Sequence, residues 1–165
     1  MKRLTCLLFS VLILLFSVST SAQAAAGSIT GTATVIKMEA GYPSVVKVAL
    51  VCTAGVGGGE DALFPSETVQ ANITGVDILG LKLYCVGAYP GGTAPTDATD
   101  LTLTSGFDLL DGKGTNAIDS TTTTLTWAGS SSVDFPVPVV GDITVGITNN
   151  AVAGAITNLI LIFGK

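Results

Sequence analysis

The sequence contains no histidine, and its only arginine is Arg3. The chain therefore lacks an imidazole base and, beyond Arg3, a guanidinium group, which excludes most catalytic triads, zinc sites and phosphate clamps. Charge is scarce as well, with 7 cationic and 12 acidic residues among 165. A chain of this balance is repelled by nucleic acid and by anionic lipid, so neither is an expected partner. We predict that the protein is not an enzyme and carries no cofactor.

Long apolar runs are also missing, apart from one near the amino terminus. Lys2 and Arg3 precede an apolar run at 7–18, and an Ala-x-Ala cleavage pattern follows it. Because a membrane-spanning helix needs roughly 20 apolar residues, a cleaved export signal is favoured over a retained anchor. We therefore predict a signal peptide at 1–24 and one mature domain at 25–165, without a membrane span and in a secreted, extracellular or periplasmic location.

Cysteine is rare, with 3 in the chain. Cys6 precedes the apolar run and is expected to leave with the signal peptide. Cys52 and Cys85 share strand parity with apolar neighbours, so both thiols are predicted to face the core. In an oxidising compartment they form a candidate disulfide, and the alternative is a pair of buried free thiols. The disulfide is the favoured interpretation.

Glycine, threonine and alternating apolar residues are abundant, a composition typical of β-structure. The predicted strands are 30–36, 45–52, 68–73, 76–86, 100–104, 122–127, 143–148 and 158–163. Turn-rich segments separate them, and no long stretch favours a helix. The sequence therefore predicts a single all-β domain, an antiparallel β-sandwich or jelly-roll-like barrel of about eight strands.

The last predicted strand is apolar on both faces. It contains Leu159, Ile160, Leu161, Ile162 and Phe163. Such a strand is either central and covered on both sides, or an edge that awaits a partner. The second alternative makes these residues candidates for self-association or strand addition. The expected partners are further copies of the chain or other structural or surface proteins.

Carboxylates in glycine-containing turns are open to two interpretations. Asp108, Asp111 and Asn116 are closely spaced oxygen donors of the kind that calcium loops use, although their spacing is not that of an EF-hand. The alternative is that such side chains bond to backbone amides of the turn. The second interpretation is favoured, so no metal site is predicted, and these three residues are the calcium candidates.

Exposed aromatic residues are the remaining candidates for ligand binding. Tyr89 precedes a Pro-Gly-Gly turn and is predicted to lie at the surface, where it is able to stack on a sugar. Trp127 shares parity with Leu125 and is predicted to lie in the core. The alternative to a structural function is therefore an extracellular carbohydrate- or calcium-binding module, carried by Tyr89 and the loop at 108–116.

From about residue 81 to residue 163 the order of motifs resembles a known protein family. The motifs are GGTAPTD at 91–97, DLTL at 100–103, GFDLLDGKGTN at 106–116 and VPVVGDITV at 137–145. They resemble small β-sandwich structural proteins encoded in the structural gene clusters of tailed bacteriophages and prophages. The resemblance implies a non-enzymatic, virion-associated part. Together with the export signal, it predicts an exported structural or surface protein that self-associates or decorates a larger particle, a virion or a cell surface.

Overall fold

The computed structural model describes residues 26–39, 42–56, 62–130 and 132–165. The predicted signal peptide at 1–24 lies outside them. The described ranges contain eleven β-strands and a 3-10 helix at Gln70–Asn72, and they contain no α-helix. The strands are β1 (Ser28–Glu39), β2 (Tyr42–Thr53), β3 (Glu67–Thr68), β4 (Lys82–Pro90), β5 (Asp100–Thr104), β6 (Thr124–Trp127), β7 (Gly129–Ser130), β8 (Val133–Asp134), β9 (Val137–Pro138), β10 (Thr144–Thr148) and β11 (Ile156–Gly164).

The predicted all-β class is confirmed. Six strands form the larger sheet in the order β1-β2-β11-β4-β6, with β9 paired to the beginning of β4. All of its pairings are antiparallel. None of the segments described above forms a helix long and apolar enough to span a membrane.

A smaller sheet covers the inner face of the larger one. It consists of β3, β10 and β5, while β7 and β8 form a separate hairpin. Leu101 and Leu103 of β5 and Val145 of β10 are buried in the same apolar cluster as Leu50 of β2 and Leu161 of β11. Two antiparallel sheets that share one core form the layered arrangement of a β-sandwich.

The predicted strands at 68–73 and 76–86 differ most from the observed ones, and β7, β8 and β9 lie in segments where no strand was predicted. In the segment 68–73, strand pairing ends at Thr68, because a 3-10 helix begins at Gln70. In the segment 76–86, the strand begins only at Lys82. Gly80 has a φ of 77°, a left-handed conformation that interrupts an extended chain and that glycine adopts without a Cβ penalty.

A β-bulge in β4 reverses the direction of its side chains. Leu83 pairs with Phe163 of β11 and Cys85 pairs with the preceding Ile162, so Tyr84 is an extra residue without a partner of its own. Leu83 belongs to the shared apolar core. Cys85 is buried but lies on the opposite face of the sheet, so the prediction that its thiol faces the core is wrong.

The predicted Cys52–Cys85 disulfide is also wrong. Cys52 lies opposite Thr157 and Cys85 lies opposite Ile162, five residues further along β11. Five residues of extended chain span about 16 Å, whereas a disulfide requires Cα atoms within about 7 Å. Both cysteines are buried free thiols, which is the alternative that the sequence left open.

Candidate functional site

The face of the larger sheet that points away from the core, called the outer face here, presents apolar side chains. The strand register places Ala49, Ile160, Gly87 and Leu125 in one row and Val51, Asn158 and Tyr89 in the next. Leu125 is 58% exposed and Val51 is 43% exposed. Ile160 lies between them and is half-buried. Exposed apolar side chains grouped on one face in this way are typical of a site of protein interaction.

The outer face is also nearly free of negative charge. The strands β2, β4, β6 and β11 contain no aspartate and no glutamate. The charged residues of these four strands are Lys47, opposite Ile162, and Lys82, opposite Gly164. In a chain with a formal net charge of −5, this face therefore repels a second acidic molecule less than the acidic loops do.

The five residues predicted for self-association divide between the two faces of β11. Leu159, Leu161 and Phe163 are fully buried in the core and are inaccessible to a partner. Strand addition is excluded as well, because β11 is hydrogen-bonded to β2 along one edge and to β4 along the other. The predictions of self-association through Leu159, Leu161 and Phe163 and of strand addition to β11 are therefore wrong. A contribution of Ile160 and Ile162 to self-association stays a prediction, since both lie on the outer face.

The calcium candidates form a turn. Oδ1 of Asp108 accepts the N–H of Leu110 at 3.0 Å, and Oδ2 accepts the N–H of Gly112 at 2.7 Å. Asp111 and Asn116 have φ of 47° and 54°, the left-handed conformation that turns use. The Asp108 carboxylate thus caps backbone amides, as the alternative interpretation had it. Among the described residues, no group of three or more acidic, cysteine or histidine side chains is placed to hold a metal.

Asp119 caps a second turn. It accepts the N–H groups of Thr121 at 2.7 Å and Thr122 at 2.8 Å. These backbone hydrogen bonds stabilise the charged form and lower the pKa of Asp119 to about 2. The Asp119 carboxylate therefore stabilises this turn in its ionised form.

The two thiols are not activated nucleophiles. Burial, followed by the negative charge of Glu67, raises the pKa of Cys52 to about 12. Burial also raises the pKa of Cys85. Reactive cysteines have a lowered pKa, so the environment of both residues favours the inert thiol.

Trp127 lies on the outer face opposite Cys85 and is 46% exposed, so its predicted core position is wrong. The inward positions of β6 belong to Thr124 and Thr126, which pair with the core residues of β4. Because successive side chains of a strand point to opposite faces, Leu125 and Trp127 point outward. The single tryptophan of the chain is therefore accessible to a ligand.

Trp127 borders the second of three adjoining clefts. The first has a volume of about 360 Å³ and is lined by Lys37, Ser44, Val45, Tyr84, Ile162, Phe163, Gly164 and Lys165. The second also has a volume of about 360 Å³ and is lined by Tyr84, Trp127, Asp134, Phe135 and Pro136. The third, again about 360 Å³, is lined by Phe107, Asp108, Asp111, Gly129, Ser130, Phe135, Val137 and Pro138. The three clefts together are called the aromatic groove here, because Tyr84 is common to the first two and Phe135 to the last two.

Polar groups are distributed along the groove. Nζ of Lys113 lies 2.8 Å from Oδ1 of Asp134 and donates to the carbonyl oxygen of Ala128 at 3.3 Å, which holds the ion pair at the second cleft. The hydroxyl of Tyr84 donates to the carbonyl oxygen of Lys165 at 3.2 Å. Ser44 also lines the first cleft, but its hydroxyl oxygen is buried on the core side of β2 and has no hydrogen-bond partner among the described residues.

Three groove residues were not predicted from the sequence. Tyr84 reaches the groove through the bulge in β4, which no local sequence pattern indicates. Ser44 also lacks such a pattern, because only the tertiary structure shows that it is buried. Phe135 had one, because it stands between a polar turn and Pro136. Tyr89, the predicted sugar-stacking residue, is half-buried on the outer face and does not line the groove.

Comparisons of the chain with protein-family models, with curated proteins and with solved structures found no match.

Proposed function

We propose that this chain is an exported, non-catalytic structural or surface protein that associates with a second copy of itself through the outer face. The observation that carries the proposal is the exposed apolar surface around Leu125 and Val51 on strands that lack carboxylates. The resemblance of the motifs between 91 and 145 to phage structural proteins supports a role in a larger assembly. The absence of histidine from the sequence supports a non-catalytic role.

The dimensions of the outer face suit a dimer. Strands about 4.8 Å apart, with about 3.3 Å per residue over the 9 residues of β11, give the five-strand face an area of roughly 600 Å². Standard-size interfaces bury roughly 600–1,000 Å² per partner, so the outer face lies at the lower limit of that range. A two-fold axis through the face brings the apolar rows of the two copies together.

Sedimentation equilibrium of the mature protein tests this proposal. We expect a dimer at high protein concentration that dissociates on dilution. Leu125→Glu is expected to shift the protein to monomer, because it places a carboxylate in the apolar interface. The matched control is Val140→Glu, since Val140 is 63% exposed and lies outside the larger sheet. A wild-type protein that stays monomeric, or a Leu125→Glu variant that associates like the wild type, contradicts the proposal.

A further inference from the structure

The strand β1 leaves one edge of the larger sheet open. It is terminal in the strand order and pairs with β2, and no other described strand pairs with its free edge. It has 12 residues, whereas β6 at the opposite edge of the sheet has 4. Backbone N–H and C=O groups along a free edge of this length form a template for a further strand.

The hydrogen bonds of β2 identify the free groups of β1. The N–H of Ala54, directly after β2, donates to the carbonyl oxygen of Ala155, directly before β11, at 2.8 Å. Because the direction of these bonds alternates along an antiparallel strand, the even-numbered residues of β2 bond toward β11 and the odd-numbered ones toward β1. The odd-numbered residues lie opposite even-numbered residues of β1. The groups that point to the free edge are therefore those of Ile29, Gly31, Ala33 and Val35.

The first eight residues of β1 lack the features that protect a sheet edge. Natural edge strands are blocked by charged residues, prolines or bulges. The segment 28–35 contains none of these. Both register shifts of β1 follow Val35, and so do its charged residues, Lys37 and Glu39. The part of β1 that is open to a further strand therefore ends at Val35.

The sequence of this open segment is nearly symmetric about Thr32. On each side of Thr32 there follow a small residue, a threonine and a β-branched apolar residue, namely Gly31, Thr30 and Ile29 before it and Ala33, Thr34 and Val35 after it. An interface between two identical copies about a two-fold axis requires such a self-complementary surface. The pattern therefore identifies a second copy of the same strand as the partner that fits.

The direction of the free backbone groups agrees with an antiparallel pair centred on Thr32. In that register Gly31 lies opposite Ala33 of the second copy, and Ile29 lies opposite its Val35. All four of these residues direct their N–H and C=O groups to the free edge, so the two strands exchange about eight backbone hydrogen bonds. Thr32 lies opposite its own copy in a pair without hydrogen bonds, the kind in which side chains are closest.

We infer that β1 pairs with β1 of a second copy in this register, so that the larger sheet continues from one copy into the next. The side chains of Thr30, Thr32 and Thr34 are exposed on the outer face and accessible to the second strand. Threonines opposite each other on neighbouring strands form favourable pairs. No charge lies within 28–35, so two copies of an acidic chain meet there without local repulsion.

Edge pairing uses different groups from association through the outer face. Three strands, β2, β11 and β4, separate β1 from Leu125 on β6. A strand added in the plane of the sheet leaves the outer faces of both copies on the same side and uncovered. The protein therefore assembles beyond a dimer where both interfaces form, because each interface joins a different pair of copies.

The area of the edge predicts the weaker of the two associations. The segment 29–35 extends over about 23 Å, and a sheet with its side chains is about 10 Å thick, which gives roughly 230 Å² per copy. Standard-size interfaces bury roughly 600–1,000 Å² per partner. We therefore expect edge pairing at a higher protein concentration than outer-face association requires.

Hydrogen exchange of backbone amides, measured by NMR, tests the edge directly. Leu125→Glu serves as the background, because it disables the outer face, and the wild type is expected to show the same pattern. Between about 10 μM and about 1 mM protein, the exchange of four amides is expected to slow by about tenfold or more. These are the amides of Ile29, Gly31, Ala33 and Val35. The even-numbered amides from 30 to 34 are bonded to β2 and exchange slowly at both concentrations, an alternation that contact through the outer face does not produce.

Thr32→Lys in the same background is expected to abolish the slowing, because two lysines then lie opposite each other at the two-fold axis. Thr148→Lys is the matched control, since it makes the same change of charge at an exposed position of β10 in the smaller sheet. Equal exchange of the four amides at both concentrations overturns the inference. Slow exchange already in the monomer also overturns it, because another segment then covers the edge. The same holds if Thr32→Lys slows exchange as Thr148→Lys does. Sedimentation of the wild type against Leu125→Glu judges the outer face separately.

Discussion

Cys52 lies on the inner face of β2 with no exposed surface. Desolvation there disfavours the thiolate, which is why its pKa is raised to about 12. A raised pKa means that the folded state holds the proton more tightly than the unfolded chain. The resulting contribution to the free energy of unfolding is complete below the ordinary value of 9.0 and is lost as the pH rises toward about 12.

We predict that the native protein at mildly alkaline pH leaves Cys52 unmodified by iodoacetamide. In denaturant without a reductant, both Cys52 and Cys85 are expected to become alkylated, because they are free thiols. Peptide mass spectrometry measures both states. A Cys52–Cys85 linked peptide in the unreduced sample contradicts the strand register described here.

At the same scale, Asp108 shows that local turn chemistry fixes the role of a side chain whose residue type leaves two roles open. The sequence allowed two roles for Asp108, as a calcium ligand or as a cap of backbone amides in a turn. Its two oxygens accept N–H groups of Leu110 and Gly112, so local backbone geometry decided between them. Short-range turn chemistry of this kind is predictable, because donor and acceptor are only a few residues apart.

Among the elements, β4 has the largest effect on the site. One extra residue at Tyr84 turns Cys85 away from the core and brings the tyrosine ring between the first and second clefts. The simple alternation of apolar residues from 79 to 85 had predicted a continuous inward row. A bulge has no reliable local signature, so only the pairing with β11 reveals it.

The loop between β5 and β6 packs directly on β5. The N–H of Leu101 donates to the carbonyl oxygen of Gly114 at 2.8 Å. A Cβ atom at residue 114 would overlap the carbonyl oxygen of Leu101, whereas a Cβ at Gly92 would meet nothing within 4 Å. Glycine is required at 114 by this close approach of two backbones.

We therefore predict that Gly114→Ala lowers the free energy of unfolding by about 1–3 kcal/mol, because the loop must move away from β5. Gly92→Ala is the matched control and is expected to change it by no more than about 0.5 kcal/mol. Urea unfolding of both variants gives the comparison. Equal midpoints for the two variants would show that the loop accommodates the methyl group without strain.

For the molecule as a whole, the distribution of charge distinguishes its surfaces. Six of the described aspartates lie outside the strands, namely Asp77, Asp97, Asp108, Asp111, Asp119 and Asp142. By contrast, β2, β4, β6 and β11 of the larger sheet carry no carboxylate, and the aromatic groove includes Ile162 and Trp127 of its outer face. Repulsion between the acidic loops of two copies therefore disfavours modes of association other than those proposed.

Export is a prediction for the whole chain. We expect the protein from its native source to begin at Ala25, because the Ala-x-Ala pattern ends at residue 24. Intact mass spectrometry of separated envelope, supernatant and particle fractions measures the amino terminus and the location together. A chain that retains residues 1–24 in the particle fraction contradicts export and supports a virion component.

The sequence by itself determined the all-β class, the scarcity of positive charge and most strand positions, because alternation, composition and turn residues act over a few neighbours. The segment 100–104 was predicted with the bounds that β5 has. Only the tertiary structure decided that β11 is central, that the two thiols are far apart, and that Ser44, Tyr84 and Phe135 meet along one groove. These properties depend on which strands pair and in what register, and such contacts join residues that are distant along the chain.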